Sequence, residues 1–174
     1  GMIYRESERL LYLINDIIRL SQIEEQEHVL NDKIDLLKTA HDVEEILRHK
    51  ADNREVTMTI EGEPVQIYRN QSYITELFLN LMDNAIKYNH EGGSLKVTVG
   101  MEDGKAFAVF SDTGIGISDE HQSRIFERFY RVDKSRSKKI GGTGLGLSIV
   151  KHIVAYHSGE ISLESELEKG TTIT

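Results

Sequence analysis

Apolar and polar positions alternate along this chain with two periods, and the switches between them outline its elements. Residues 3–20 carry Ile3, Leu10, Leu13, Ile17 and Leu20, joined by Leu11, Ile14 and Ile18. That spacing is close to a heptad seam with extra width, so a long amphipathic helix is predicted. Its stripe suits packing against another helix or a second copy of itself, and a plain core helix of the same domain is the alternative. Residues 24–33 are polar and read as a linker. A helix follows over 36–47, with Val43, Ile46 and Leu47 on one face. The stretch 56–60 alternates as a strand does, Gly62 ends it, and a second short strand is expected over 65–68.

A long helix is predicted over 72–89, then strands over 95–101 and 105–111 joined by a turn at Asp103-Gly104. Ser118, followed by the acids Asp119 and Glu120, reads as the cap of a helix running to about residue 130. Residues 132–144 are basic and then glycine-rich, without periodicity. A helix over 145–157 closes at Gly159, and 161–165 with 171–174 form a last strand pair. Helices and strands mix without βαβ alternation. The expected class is α+β: a mixed, mostly antiparallel sheet with helices on one face, preceded by a long N-terminal helix.

Composition changes this picture in three ways. The net charge of −8 argues against a nucleic-acid partner. The chain has no cysteine, which removes disulfides and thiolate metal sites and fits a reducing compartment. No apolar run approaches the roughly 20 residues of a membrane span. The chain stops inside a β-like stretch at Thr174, so a fragment of a longer protein with its last strand cut short is expected.

Four groups of residues carry candidate chemistry. The run Gly141-Gly142-Thr143-Gly144-Leu145-Gly146-Leu147 leads straight into a helix, and a glycine loop entering a helix N-terminus can cradle phosphate. It is not a P-loop, because no Lys-Ser/Thr follows. It is not a dinucleotide fingerprint, because no strand leads into it. On the helix over 72–89, Asn80, Asn84 and Lys87 fall within about 60° of one another, away from Phe78, Leu81, Met82 and Ala85. Two amides and an ammonium suit a hard cation and a phosphate, or a solvated polar face. Asp112 ends a strand before Gly114-Ile115-Gly116-Ile117, where a carboxylate can accept from an exocyclic amine, or form an ordinary Asx-turn. Arg124 to Asp133, with Phe126, Phe129, Tyr130 and Arg131, leads into Lys134, Arg136, Lys138 and Lys139. These residues fit a nucleotide lid or a basic surface loop.

Taken in order, Asn-Leu-Met-Asp-Asn-Ala-Ile-Lys-Tyr (80–88), Asp-Thr-Gly-Ile-Gly (112–116), Phe-Glu-Arg-Phe-Tyr-Arg (126–131) and Gly-Thr-Gly-Leu-Gly-Leu (142–147) resemble the N, G1, F and G2 boxes of sensor histidine kinases. The resemblance implies the Bergerat sandwich of the GHKL superfamily. Residues 29–174 would be the catalytic ATP-binding domain. Residues 1–28 would hold the second helix of the dimerisation hairpin, without the acceptor histidine. It implies a protein-histidine kinase that binds ATP and Mg²⁺ and passes the γ-phosphoryl group to a histidine hairpin of its own or a partner subunit. Relay to a response regulator receiver would follow.

The implied roles are specific. Asn84, with Asn80 nearby, would bind Mg²⁺. Lys87 and Tyr88 would touch the phosphates or the ribose side. Asp112 would read the adenine amine, with Gly114, Gly116 and Ile117 shaping the base pocket. Arg131 would reach the γ-phosphate. Gly142, Thr143, Gly144, Leu145, Gly146 and Leu147 would form the hinge and backbone of the lid. Asn80, Lys87 and Arg131 would serve the transfer itself. Gyrase-type ATPases of the same superfamily carry a glutamate where this chain has Asn80, and a neutral amide cannot act as general base. An ATPase switch or a degenerate ATP-binding module are the alternatives. None of the seven histidines sits in the acceptor motif, so the fragment is expected not to label itself. The resemblance also implies a homodimer, a cytoplasmic location for this part, and a membrane anchor in the full-length protein.

Overall fold

Asp35 sets the start of the first well-described helix: its carboxylate accepts the Lys38 amide at 3.1 Å. The computed structural model describes residues 32–132 and 143–174, together with Ile14, Ile17, Ile18 and Ser21. Those four residues are helical, and the three isoleucines are exposed. The remainder of the N-terminal helix predicted over 3–20, and the basic run over 133–142, lie outside the described residues.

From Asp32 the order is β1 (Asp32–Asp35), α1 (Leu36–Asp52), β2 (Thr57–Gly62), β3 (Gln66–Arg69), α2 (Gln71–Lys87), β4 (Ser94–Glu102) and β5 (Lys105–Asp112). There follow α3 (Asp119–Gln122), α4 (Gly146–Tyr156), β6 (Leu163–Glu166) and β7 (Gly170–Ile173). Five strands form one sheet in the order β2-β4-β5-β7-β6. The β2–β4 pair is parallel and the others are antiparallel. The expected α+β class and mostly antiparallel sheet are therefore found. β1 and β3 form a separate antiparallel pair.

The core lies between the helices and one face of this sheet. Leu95, Val97, Val99 and Phe110 point inward from β4 and β5. α2 buries Tyr73, Ile74, Phe78, Leu81, Met82, Ala85 and Ile86, each large aliphatic or aromatic side chain contributing about 1.5–3 kcal/mol. The polar stripe of α2 is left beside this apolar face, as its 3.6-residue period requires. Asn70 caps α2 by accepting the Tyr73 amide at 3.1 Å. α4 docks on α2 through a smaller cluster of Tyr73, Leu145, Ile149 and Ile153.

Three expectations change. The stretch over 24–33 read as linker runs into β1 at Asp32, and the strand's single buried apolar residue, Ile34, leaves no alternation to detect. α1 runs beyond residue 47 to Asp52, and Ile46 is 63% exposed. The buried stripe is Leu36, Ala40, Val43, Leu47 and Ala51, and Ile46 lies to one side of it. The helix expected from Ser118 to residue 130 is only the turn Asp119–Gln122, and Ser118 makes no capping bond. Phe129 takes a left-handed conformation (φ 63°) and its amide donates to the Gly144 carbonyl at 2.9 Å, so a long-range bond replaces the helical one.

Candidate functional site

Between the C-terminal half of α2, the end of β5 and the start of α4 lies a cavity of about 390 Å³. α2 contributes Leu81, Asn84 and Ala85, with Tyr88 just past its end. The end of β5 contributes Phe110 and Asp112, and the following loop adds Ile115, Gly116, Ile117 and Ser118. Ile125, Arg131 and Val132 close one side, Gly144 and Leu147 another. Leu167, Glu168, Thr171 and Ile173 come from the final hairpin. The lining is mostly apolar with a few converging polar groups, as in small-molecule sites.

Asp112 is both an Asx-turn and a cavity group. Its Oδ1 accepts the Gly114 amide at 2.8 Å, and the carboxylate faces the cavity. Burial pushes its pKa above the usual carboxylate value, against the opposing pull of the Gly114 and Thr171 amides. The loop is held from outside: the Ile115 amide donates to the Tyr88 carbonyl at 3.1 Å and the Ile117 amide to Ser165 Oγ at 2.8 Å.

The site also gathers cationic groups. Arg131 reaches the cavity with Nε and Nη2 buried, and neither has a hydrogen-bond partner among the described residues. Two buried donors on a guanidinium cost free energy until an acceptor arrives, so an anion fits here. Burial lowers the pKa of Lys87; Asp83 pulls it back up, and Lys50, Arg131 and Arg54 push it further down. Asp83 itself is paired with Lys50.

The start of α4 completes the arrangement. Leu145 precedes the helix and no side chain caps it, so its first-turn amides are available to an acceptor. Gly146 abuts the polar stripe of α2: a Cβ there would stand 2.8 Å from Asn80 Oδ1 and 3.8 Å from Asn84 Nδ2. Gly144 adopts φ +79°, and a Cβ would press on the Phe129–Tyr130 backbone at 2.9–3.0 Å. Asn80 Nδ2 donates to the Glu76 carbonyl at 2.9 Å, which orients its oxygen toward Gly146.

The structure thus brings Asn84, Tyr88, Asp112, Gly116, Ile117, Arg131, Gly144 and Leu147 to one cavity. Asn80 and Gly146 are neighbours; they, Lys87 and Gly114 are not among the residues that line the cavity. Thr143 Oγ1 accepts the Leu145 amide at 3.3 Å, and the Leu145 side chain is fully buried in the small α2–α4 cluster. Gly142 lies outside the described residues. Sequence reasoning missed Leu167, Glu168 and Thr171. They reach the site because β7 pairs with β5, setting Thr171 opposite Asp112, a register that periodicity does not encode.

Comparison with known proteins follows the same lines. The family described as histidine kinase-, DNA gyrase B- and HSP90-like ATPase matches residues 69–174. The sensor-like histidine kinase SenX3 of Mycolicibacterium smegmatis is 37% identical over 173 residues, which are 97% of this chain and 44% of that protein. The chain therefore spans less than half the length of this curated relative. Among solved structures, the mycobacterial sensor histidine kinase MprB superimposes with a TM-score of 0.72 at 28% identity, over 82% of this chain and 93% of that one. Full-length ShkA in complex with AMPPNP gives 0.84 at 26% identity, over 99% of this chain and 36% of that one.

Proposed function

Because the chain belongs to the histidine kinase-, DNA gyrase B- and HSP90-like ATPases, we propose that it is the ATP-binding catalytic domain of a sensor histidine kinase. In this reading it transfers the γ-phosphoryl group of ATP to a histidine on a dimerisation hairpin, for relay to a response regulator. The observation that carries the proposal is the polarity of one cavity. An acceptor carboxylate, Asp112, and the Arg131 guanidinium, two of whose nitrogens are buried without a partner among the described residues, line the same apolar cavity, with an uncapped helix start beside Gly144.

A purine nucleotide matches that polarity. Asp112 accepts from the adenine amine, with Gly116 and Ile117 beside the base. Arg131 faces the γ-phosphate, and Lys87, close enough to feel the Arg131 charge, adds to the positive field. The α4 amides at Gly146 and Leu147 meet the phosphates. Asn84, with Asn80, is the pair suited to hold Mg²⁺ through amide oxygens. When bound, the ion neutralises phosphate charge that would otherwise oppose attack. The chain's own part is positioning and charge neutralisation.

Asn80 favours transfer over hydrolysis. Its amide cannot take a proton from water, and its Nδ2 is committed to the Glu76 carbonyl. The acceptor hairpin is then supplied by residues beyond this chain or by a second subunit.

The test is a transfer assay. The 174-residue chain is incubated with γ-labelled ATP, Mg²⁺ and a purified hairpin carrying the acceptor histidine of a close relative. Acid-labile, base-stable label should appear on the hairpin and not on the chain. Label on the chain itself, or steady phosphate release that Asn80→Ala abolishes, would overturn the reading in favour of another reaction.

A further inference from the structure

The segment that delivers Arg131 to the cavity is held by contacts outside it. Tyr130 Oη lies 2.7 Å from His121 Nδ1, and the two rings pack with centroids 6.0 Å apart. The Arg124 guanidinium stands 4.3 Å over the Tyr130 ring and is itself fixed by a two-point pair with Glu127 at 3.2 Å. His121 Nε2 lies 3.4 Å from Glu120; a proton on that nitrogen leaves Nδ1 to accept from the tyrosine hydroxyl.

These contacts have a cost to offset. Phe129 is left-handed, an unfavourable conformation for a bulky residue. The kink separates neighbours: Tyr130 turns back onto α3 and Arg131 turns into the cavity. Two buried Arg131 nitrogens lack a partner among the described residues, so the free guanidinium gains nothing there by itself. The Phe129 amide is tied to the Gly144 carbonyl, and the Tyr130 clamp holds the next residue, beside Arg131, from outside the cavity.

We infer that Tyr130, gripped by His121 and Arg124, is a positioning residue that aims Arg131 into the cavity and thereby sets the preference for a nucleoside triphosphate over a diphosphate. The inference rests on the reading of Arg131 as the γ-phosphate group. Tyr130 touches no reacting atom, and its effect is confined to the phosphate that Arg131 meets.

The test compares Tyr130→Phe and Arg131→Ala by calorimetric titration of the chain with the β,γ-imido analogue of ATP and with ADP, both with Mg²⁺. Tyr130→Phe keeps the ring over Arg124 and removes only the hydroxyl. It should weaken the triphosphate analogue roughly threefold to tenfold, the range of one net hydrogen bond, and leave ADP within about twofold. Arg131→Ala should bring the two nucleotides to similar affinity. Wild-type affinities in Tyr130→Phe, or an equal loss for both nucleotides, would overturn the positioning role while leaving Arg131 intact. A wild-type chain without triphosphate preference, or Arg131→Ala without effect on it, would instead remove the γ-phosphate role on which the inference stands.

Discussion

Replacing Asp112 by Asn separates what this residue does for the fold from what it does for the site. Asn keeps an oxygen for the Gly114 amide, 2.8 Å away in the wild type. It turns an amide N–H₂ into the cavity where a carboxylate oxygen stood. An adenine amine then meets a donor in place of an acceptor. A hydrogen bond to a charged group is worth about 1.5–3 kcal/mol, so the ATP dissociation constant should rise roughly 10- to 150-fold. A guanine carbonyl would accept from the new amide, so the ATP-over-GTP preference should fall still further.

The effect on stability runs the other way. The folded pKa of Asp112 lies above its unfolded value of 3.8, chiefly through burial. The stability this group contributes is complete below that value and is lost as pH rises through the folded pKa. At pH 7 the empty protein therefore carries a buried carboxylate at some cost, which Asn removes. Thermal unfolding at pH 7 should show an unchanged or higher Tm, and any gain should vanish in strong acid. The reasoning is refuted by ATP affinity within twofold of wild type. It is equally refuted by a Tm drop beyond about 4 °C, which at this size exceeds 1 kcal/mol.

Other substitutions probe separate parts of the molecule. Gly146→Ala sets a methyl 2.8 Å from Asn80 Oδ1; titration should show ATP affinity falling about tenfold while Tm moves little, since only a side-chain amide must shift. His157 is buried, its Nδ1 donates to the Ile153 carbonyl at 2.7 Å, and burial lowers its pKa below 6.5. Its stability contribution is present above pH 6.5 and lost as pH falls through the folded pKa. His157→Asn, which keeps a donor for that carbonyl, should flatten the pH dependence of denaturant midpoints below pH 6.5. Phe78→Ala removes a ring packed edge-on against Phe110 at 5.0 Å and should cost about 3–5 kcal/mol by denaturant titration.

The parts of this molecule that sequence revealed are those governed by local periodicity. The α2 stripe was legible because one helix must separate Phe78, Leu81, Met82 and Ala85 from Asn80, Asn84 and Lys87, and burial follows that division. The Asp103-Gly104 turn was legible because both residues tolerate positive φ, and both adopt it. What was hidden depends on distant partners. β1 exists because Ile34 pairs with Ile67 of β3 across the separate two-stranded sheet. The helix expected after Ser118 gives way after Gln122 to three-residue turns, and Phe129 then bonds to the distant Gly144. Thr171 joins Asp112 through the register of β7 on β5. Within the site, the polar residues were visible as motifs. The apolar wall from Ile125, Leu167 and Ile173 was not, because it assembles from two segments distant in sequence.

The central claim is that one cavity orients ATP with its base at Asp112 and its γ-phosphate at Arg131. A crystal structure of the 174-residue chain with Mg²⁺ and the β,γ-imido analogue tests it most directly. The account predicts the adenine amine within hydrogen-bonding distance of an Asp112 carboxylate oxygen. It also predicts the terminal phosphate within reach of Arg131 Nε or Nη2, and amide oxygen from Asn84 on the metal. A nucleotide bound in the reverse sense, or bound elsewhere with this cavity left empty, would contradict it.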